Sequence, residues 1–516
     1  MKKKQLVALV SAMALAVSSI GAYNHVQAAG ALAGATPGLL QAREKTWPGD
    51  NGTSAKYIFL FIGDGMSYSQ IQLTNYYLSA LADTNDNDIL ESKNNLSFLD
   101  FPVAGSAQTY DSTSFCPDSA STATSIATGY KTYSGVINMN EAKTESYETI
   151  AEKLKNQLGY KIGVISSVNL NHATPAAFYA HQASRSKYYE IGLELIDSDF
   201  DYFAGGGLLK PNGDGTQENL YELAKKAGYE VVFTKAEAEA VNSTTDKAII
   251  IDETLADGDA MSYDMDLEDG EWALADYVRK GIEVLNNNKG FFMMVEGGKI
   301  DWACHANDAG STINDTIALD NAVEVAIEFY NKHPEETLIL VTGDHETGGL
   351  TIGFAGTNYD TFLTNLENQK ISYAKYDSDY VKAYKENKTS FEEVLKDVEK
   401  LFGLVTEENK TNAADETLVM TQYELDKLKA AYDKTIAGEK ADKTNQGEYV
   451  LYGTYEPLTV TITHILNNKS GVNFASYSHT GLPVEVLAKG FGEDKFEGFY
   501  DNTDIYDKLA AITGVK

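Results

Sequence analysis

Five continuous apolar runs punctuate the chain: KYIFLFIG at 56–63, KIGVISS at 161–167, KAIII at 247–251, GFFMMVEGG at 290–298 and TLILVTGDH at 337–345. Unbroken rather than alternating hydrophobicity marks strands buried on both faces, as in parallel sheets. Between the runs, SYETIAEKLKNQL (146–158) and INDTIALDNAVEVAIEFYNK (313–332) carry helical spacing. Strand alternating with helix predicts a doubly wound α/β sheet, mostly parallel, with helices on both faces. Such sheets bind ligands beyond the carboxyl ends of their strands. Polar residues fall there: Asp64 after the first run, His172 and Thr174 after the second, Glu296 and Asp301 closing the fourth, Asp344 and His345 closing the fifth.

Two segments depart from this pattern. Residues 352–455 are charged, rich in Tyr and Lys, and read as a helical insertion. Ser390 with Glu393, and Thr421 with Glu424, have the spacing of capping boxes ahead of helical apolar positions. A lid, a dimer contact and a surface appendage all fit such a segment. The other departure is residues 1–28, where Lys2, Lys3 and Lys4 precede an apolar run and VQA precedes Ala29. This is the layout of a secretory signal peptide. No later run is long and apolar enough to span a bilayer. The expectation is a periplasmic or secreted protein without a membrane anchor.

Composition narrows the partners. The net charge of −33 over 516 residues repels nucleic acid and anionic membranes. It would also repel an anionic substrate, so phosphate chemistry here needs a concentrated local source of positive charge. The arginines are Arg43, Arg185 and Arg279, and two cysteines, Cys116 and Cys304, make no disulfide framework; one bridge or two free thiols remain open.

Candidate chemistry concentrates in short motifs. Asp301 and His305 are four residues apart in EGGKIDWACH, Asp344 and His345 are adjacent in GDH, and His479 lies in SYSHTG. Carboxylate with imidazole at the strand ends of one sheet is ligation of the zinc type. Asp64, Thr174 and Glu296 offer oxygen only, which suits a harder ion such as magnesium. His181, His333 and His464 read as structural. In CPDSASTATSIATGYKTY, Asp118 and Ser119 open a helix of small residues. They read either as an N-cap pair or as a nucleophile at a helix start, where backbone N–H groups favour an anion. A serine hydroxyl needs a base or a metal to activate it, and no Ser-His-Asp signature or G-x-S-x-G elbow is present.

FLFIGDGM, CPDSASTAT, HATPAAFYAHQASR, VEGGKIDWACH, VTGDHETGG and SHTGLPVEVLAKG together resemble the metal-dependent alkaline phosphatases, in that family's order. The resemblance covers most of the chain and thins over 352–455. It implies a single catalytic domain over 29–516 and a homodimer. Asp301, His305 and His479 would hold one zinc; Asp64, Asp344 and His345 would hold a second, which also takes Ser119 Oγ. Magnesium would sit on Asp64, Thr174 and Glu296, with His172 beside it. Ser119 would attack phosphorus to give a phosphoserine, Arg185 would fork onto two phosphoryl oxygens, and Asp118 would orient Arg185. The best-known bacterial form has Asp at the place of His172 and Lys at the place of Trp302, whereas other members have His and an aromatic residue. Trp302 can wall the substrate or donate one N–H. The implied activity is hydrolysis of phosphate monoesters of broad specificity. A phosphodiesterase with the same two-zinc core, and an exported phosphate- or metal-binding protein without turnover, are the alternatives.

Overall fold

The computed structural model describes residues 54–83, 90–411 and 413–516; the proposed signal peptide lies outside them. All five apolar runs form strands of one ten-stranded sheet. In chain order its strands are β1 (Tyr57–Gly63), β2 (Val103–Gln108), β3 (Lys161–Asn169), β4 (Tyr202–Gly206), β5 (Glu230–Val232), β6 (Ala248–Ile251), β7 (Phe291–Gly297), β8 (Thr337–Gly343), β9 (Val484–Gly490) and β10 (Gly498–Asp501). They lie in the order β10-β2-β9-β8-β1-β7-β3-β4-β6-β5. From β8 to β5 every pairing is parallel, and only β9 runs antiparallel to its neighbours β8 and β2.

Alternate residues of β1 feed two cores. Ile58, Leu60 and Ile62 pack with Ala120, Ala123, Ile126 and Ala127 of helix α1 (Ser119–Thr128) on one face. Phe59 and Phe61 meet Leu319, Ala322 and Phe329 of helix α2 (Ala309–Tyr330) on the other. Both faces are therefore covered, which is why β1, β7 and β8 are apolar at every position rather than at alternate ones.

Residues 352–455 contribute to a third core, shared with Leu73, Ile313 and the helix Pro457–Lys469. Val394, Val398 and Phe402 of the helix Phe391–Phe402 pack with Leu428, Leu458, Ile462 and Leu466. Thr421 and Glu424 form the reciprocal capping box at the helix Gln422–Ile436. At Ser390 only half of the box exists. Ser390 Oγ accepts from Glu393 N at 3.3 Å, while the Glu393 carboxylate pairs with Lys396. The two cysteines are free, Cys116 exposed and Cys304 buried. No helix of the described residues is long and apolar enough to cross a membrane.

Candidate metal centre and nucleophile

Parallel register brings the motifs to one edge. Gly63 of β1 stands opposite Gly297 of β7 and Gly343 of β8, so Asp64 and Asp344 leave adjacent strands side by side. The turn after β1 is tight: Gly65 has φ +73°, and a Cβ on Gly343 would lie 1.9 Å from the Met66 carbonyl oxygen. Gly65 N donates to Asp344 Oδ1 at 3.2 Å, tying the two loops together.

One cluster consists of Asp64, Asp344 and His345, all buried, and a second of Asp301, His305 and His479. In the first, His345 Nε2 lies 3.4 Å from Asp64 Oδ1 and 3.3 Å from Asp344 Oδ2. In the second, His305 Nε2 and His479 Nε2 lie 3.4 and 3.6 Å from Asp301 Oδ1. The His345 and His479 rings stack at 3.7 Å, so the clusters adjoin. A two-stranded antiparallel pairing of His479–Thr480 with Glu346–Thr347 sets this contact. Buried Glu346 holds it from behind, accepting from Gln70 Nε2 at 2.8 Å and Leu350 N at 3.1 Å.

The tautomers are legible. Each Nδ1 of His305 and His479 meets a carbonyl, of Tyr477 at 2.7 Å and of Pro117 at 2.5 Å. A carbonyl only accepts, so Nδ1 carries the proton and a neutral ring presents Nε2 as a bare lone pair. The two bare nitrogens face one another at 3.1 Å. Such an arrangement suits a cation shared between them.

The carboxylates tell the same story. Asp64, Glu296 and Asp344 are fully buried together. Burial, then the neighbouring carboxylates, push Asp64 well up and Asp344 up to about 7, and burial takes Glu296 to about 7. Burial also opposes ionisation of Asp301, but the imidazoles of His305, His479 and His345 hold it below the usual range. Burial and His479 keep His345 neutral. Asp64 Oδ1, Glu296 Oε1 and His172 Nδ1 have no hydrogen-bond partner. Buried carboxylate oxygens without donors are costly unless they coordinate a metal. The donor set therefore fits metal ions: imidazole with carboxylate in the two clusters, oxygen alone around Glu296.

Ser119 begins α1 beside this centre. Asp118 caps the helix, accepting from Ser121 N at 3.1 Å, and Ser119 Oγ lies 3.2 Å from His345 Nε2. Arg185 Nη1 donates to Asp118 Oδ2 at 3.0 Å, while Gly135 N holds Asp118 Oδ1 at 2.9 Å. Thr174 Oγ1 donates to Asp64 Oδ2 at 3.1 Å. His172 turns elsewhere: its Nε2 meets Arg185 Nη2 at 3.4 Å, and its ring stands edge-on to Trp302 with centroids 6.0 Å apart. Burial and Arg185 lower its pKa to about 3.

Several residues here carried no signal in the sequence. Thr122 Oγ1 donates to Asp344 Oδ2 at 3.0 Å and Thr347 Oγ1 to Asp301 Oδ1 at 2.6 Å. Asp257, Tyr373 and Tyr455 line the mouth, with buried Lys299 behind the Trp302 ring. Proximity in the motif GGKIDW could have flagged Lys299; the tyrosines come from the segment 352–455 and could not be placed without the fold. His464 stands behind the centre, its Nε2 3.0 Å from Asn307 Oδ1. His333 packs on Phe329, and His181 Nε2 meets the Tyr147 carbonyl at 3.0 Å.

A buried serine at a helix start, an arginine and clustered metal-type ligands define a metal-dependent hydrolase of phosphate esters as a class. The chain belongs to the alkaline phosphatase family, whose model matches residues 55–515, and it is a phosphatase. Alkaline phosphatase 4 of Bacillus subtilis is 29% identical over 513 residues, covering 98% of this chain and 97% of that protein. The alkaline phosphatase of Escherichia coli is 30% identical over 344 residues, 56% of this chain and 70% of that one. Among solved structures, a cold-active alkaline phosphatase from a psychrophilic Shewanella sp. superposes with a TM-score of 0.70 at 27% identity, covering 89% of this chain and 99% of that one. The Thermus thermophilus alkaline phosphatase shares the fold, with a TM-score of 0.72 at 22% identity over 91% of this chain and 93% of that one.

Proposed function

We propose that the protein hydrolyses phosphate monoesters of broad specificity through a phosphoserine on Ser119. The observation that carries this reading is Ser119 Oγ at 3.2 Å from His345 Nε2, at the start of a ten-residue helix. Arg185, gripped by Asp118, directs its remaining N–H groups at two phosphoryl oxygens, a fork that lysine cannot copy. The N–H groups of the first turn of α1 add positive potential on the same side. Ser119 Oγ then gives up its proton to water and attacks phosphorus, the ester P–O bond breaks, and the leaving alkoxide takes a proton from water, so no net proton is gained or lost. In the second half, water attacks the phosphoserine, the Ser119 O–P bond breaks, and Ser119 recovers its proton as inorganic phosphate departs.

Two zinc ions, one on Asp301, His305 and His479 and one on Asp64, Asp344 and His345, would supply Lewis-acid stabilisation of the attacking and leaving oxygens. Magnesium fits the oxygen set of Asp64, Thr174 and Glu296. His172, neutral and turned to Arg185, offers that ion less than a carboxylate would. The basic, apolar start of the chain supports export to the periplasm or medium, and the family resemblance supports a homodimer. The test is acid quench of turnover with phosphorus-labelled aryl phosphate. Label on Ser119, absent in Ser119→Ala, is expected; phosphate release without labelled protein would mean that water attacks directly.

A further inference from the structure

Two cavities lie side by side at the mouth of the site. One, of about 530 Å³, spans Ser119, Arg185, Trp302 and Tyr455. The next, of about 690 Å³, spans Tyr263, Asp266, Lys375 and Asp377. Both are lined by Asp257 and Tyr373. A phosphoryl group on Arg185 fills only one end of this space.

The remaining wall is aromatic and braced. Tyr373 meets Tyr455 edge-on at 5.8 Å and Tyr263 at 5.6 Å. Behind it lies Lys299, fully buried, whose ammonium has no hydrogen-bond partner. Its Nζ sits 4.2 Å from the Tyr263 ring and 4.6 Å from the Trp302 ring, and 3.9 Å from the Asp257 carboxylate. One buried cation thus fixes both rings and the acidic lip, at a cost in desolvation that surface decoration would not require. Tyr373 is pinned in turn: its N donates to Asp308 Oδ2 at 3.0 Å and its Oη to Asp257 Oδ2 at 3.4 Å.

We propose that this double cleft receives the alcohol half of the substrate and favours alcohols bearing a flat, uncharged ring with N–H or O–H donors, the class of nucleoside monophosphates, over open-chain or multiply phosphorylated alcohols. The inference rests on the phosphomonoesterase reading above. Trp302, Tyr373 and Tyr455 offer faces for stacking. Asp257, Asp266, Asp377 and Asp379 line the cleft against Lys375 and Lys382, so a second phosphate meets net negative charge while ring amines and ribose hydroxyls meet acceptors.

The test compares adenosine 5′-monophosphate, glycerol phosphate and fructose 1,6-bisphosphate on the metal-loaded enzyme, and measures binding of free adenosine and of glycerol by calorimetry. Expected is a kcat/KM at least tenfold higher for the nucleotide, expressed in KM, with adenosine binding and glycerol not. Tyr455→Ala should cut that ratio at least fivefold and weaken adenosine binding, and Tyr455→Phe should restore both. Equal kcat/KM for the three esters, or a ratio untouched by Tyr455→Ala, overturns the subsite alone. Phosphate release from none of them overturns the phosphomonoesterase reading and the subsite with it.

Discussion

His305 and His479, 174 residues apart in sequence, bring their Nε2 atoms to 3.1 Å of one another. With Nδ1 of each committed to a carbonyl, two lone pairs converge on one point, and Asp301 Oδ1 faces both. The fold thus presents a donor set that fits a cation.

Removal of metal should therefore destabilise the protein as well as inactivate it. Ligand present at about a thousandfold its Kd stabilises by about 4 kcal/mol. Chelation should lower Tm by several degrees, and zinc should restore it. An unchanged Tm in protein shown by elemental analysis to be metal-free would contradict the assignment of the two clusters.

Ser119→Ala should reduce kcat by at least about a thousandfold, since among the described residues lining the cavity Ser119 is the one serine, threonine or cysteine. Inorganic phosphate should still bind, measured by calorimetry, because Arg185 and the helix start remain. Turnover near the wild-type rate would exclude Ser119 as nucleophile.

Arg185→Lys keeps the charge and loses the fork. A hydrogen bond to a charged group contributes about 1.5–3 kcal/mol, so kcat/KM should fall about ten- to a hundredfold. Asp118→Ala should act in the same direction and more weakly, through release of the Arg185 side chain. Steady-state kinetics on an aryl phosphate decides both.

Asp377, in the segment 352–455, gives a pH signature independent of metal. Burial pushes its carboxyl up to about 7, while an ordinary aspartate titrates near about 4. The folded state thus holds the proton more tightly than the unfolded chain. Below pH 4 both states are protonated and Asp377 carries no penalty; from pH 4 to 7 stability falls as pH rises, and above 7 the full penalty persists. Asp377→Asn should raise stability at pH 8 by on the order of 1–3 kcal/mol and leave it nearly unchanged at pH 4. Thermal melts at the two pH values measure this, and equal shifts at both would contradict it.

The sheet was legible where burial was two-sided. KYIFLFIG and TLILVTGDH show no polar alternation because both faces of β1 and β8 are covered. Strands β2, β4, β5, β9 and β10 escaped notice: β4 is buried throughout but has only five residues, two of them glycine, whereas β2 and β10 lack two-sided burial. VAGSAQ alternates buried with exposed or half-buried positions, and GFYD is a half-exposed edge, so neither makes an apolar run. The helix expected over 146–158 begins only at Ile150, where Thr149 caps it, and its last turn, Leu154–Leu158, widens into a π-helix. At the site, residues that end strands or open α1 could be named from their motifs. Tyr373 and Tyr455 could not, because tertiary packing rather than spacing brings them to Ser119's cavity. The direction of His172, toward Arg185 rather than Glu296, is likewise a property of the fold.

The central claim is tested most directly by phosphate release from an aryl monoester at about pH 9, before and after chelation, with zinc and then magnesium returned. Loss on chelation and recovery with zinc is the expected result, and a further rise with magnesium would show that the oxygen site works despite His172. Monoesterase activity that survives complete metal removal, or none at all with zinc fully loaded, would contradict the account.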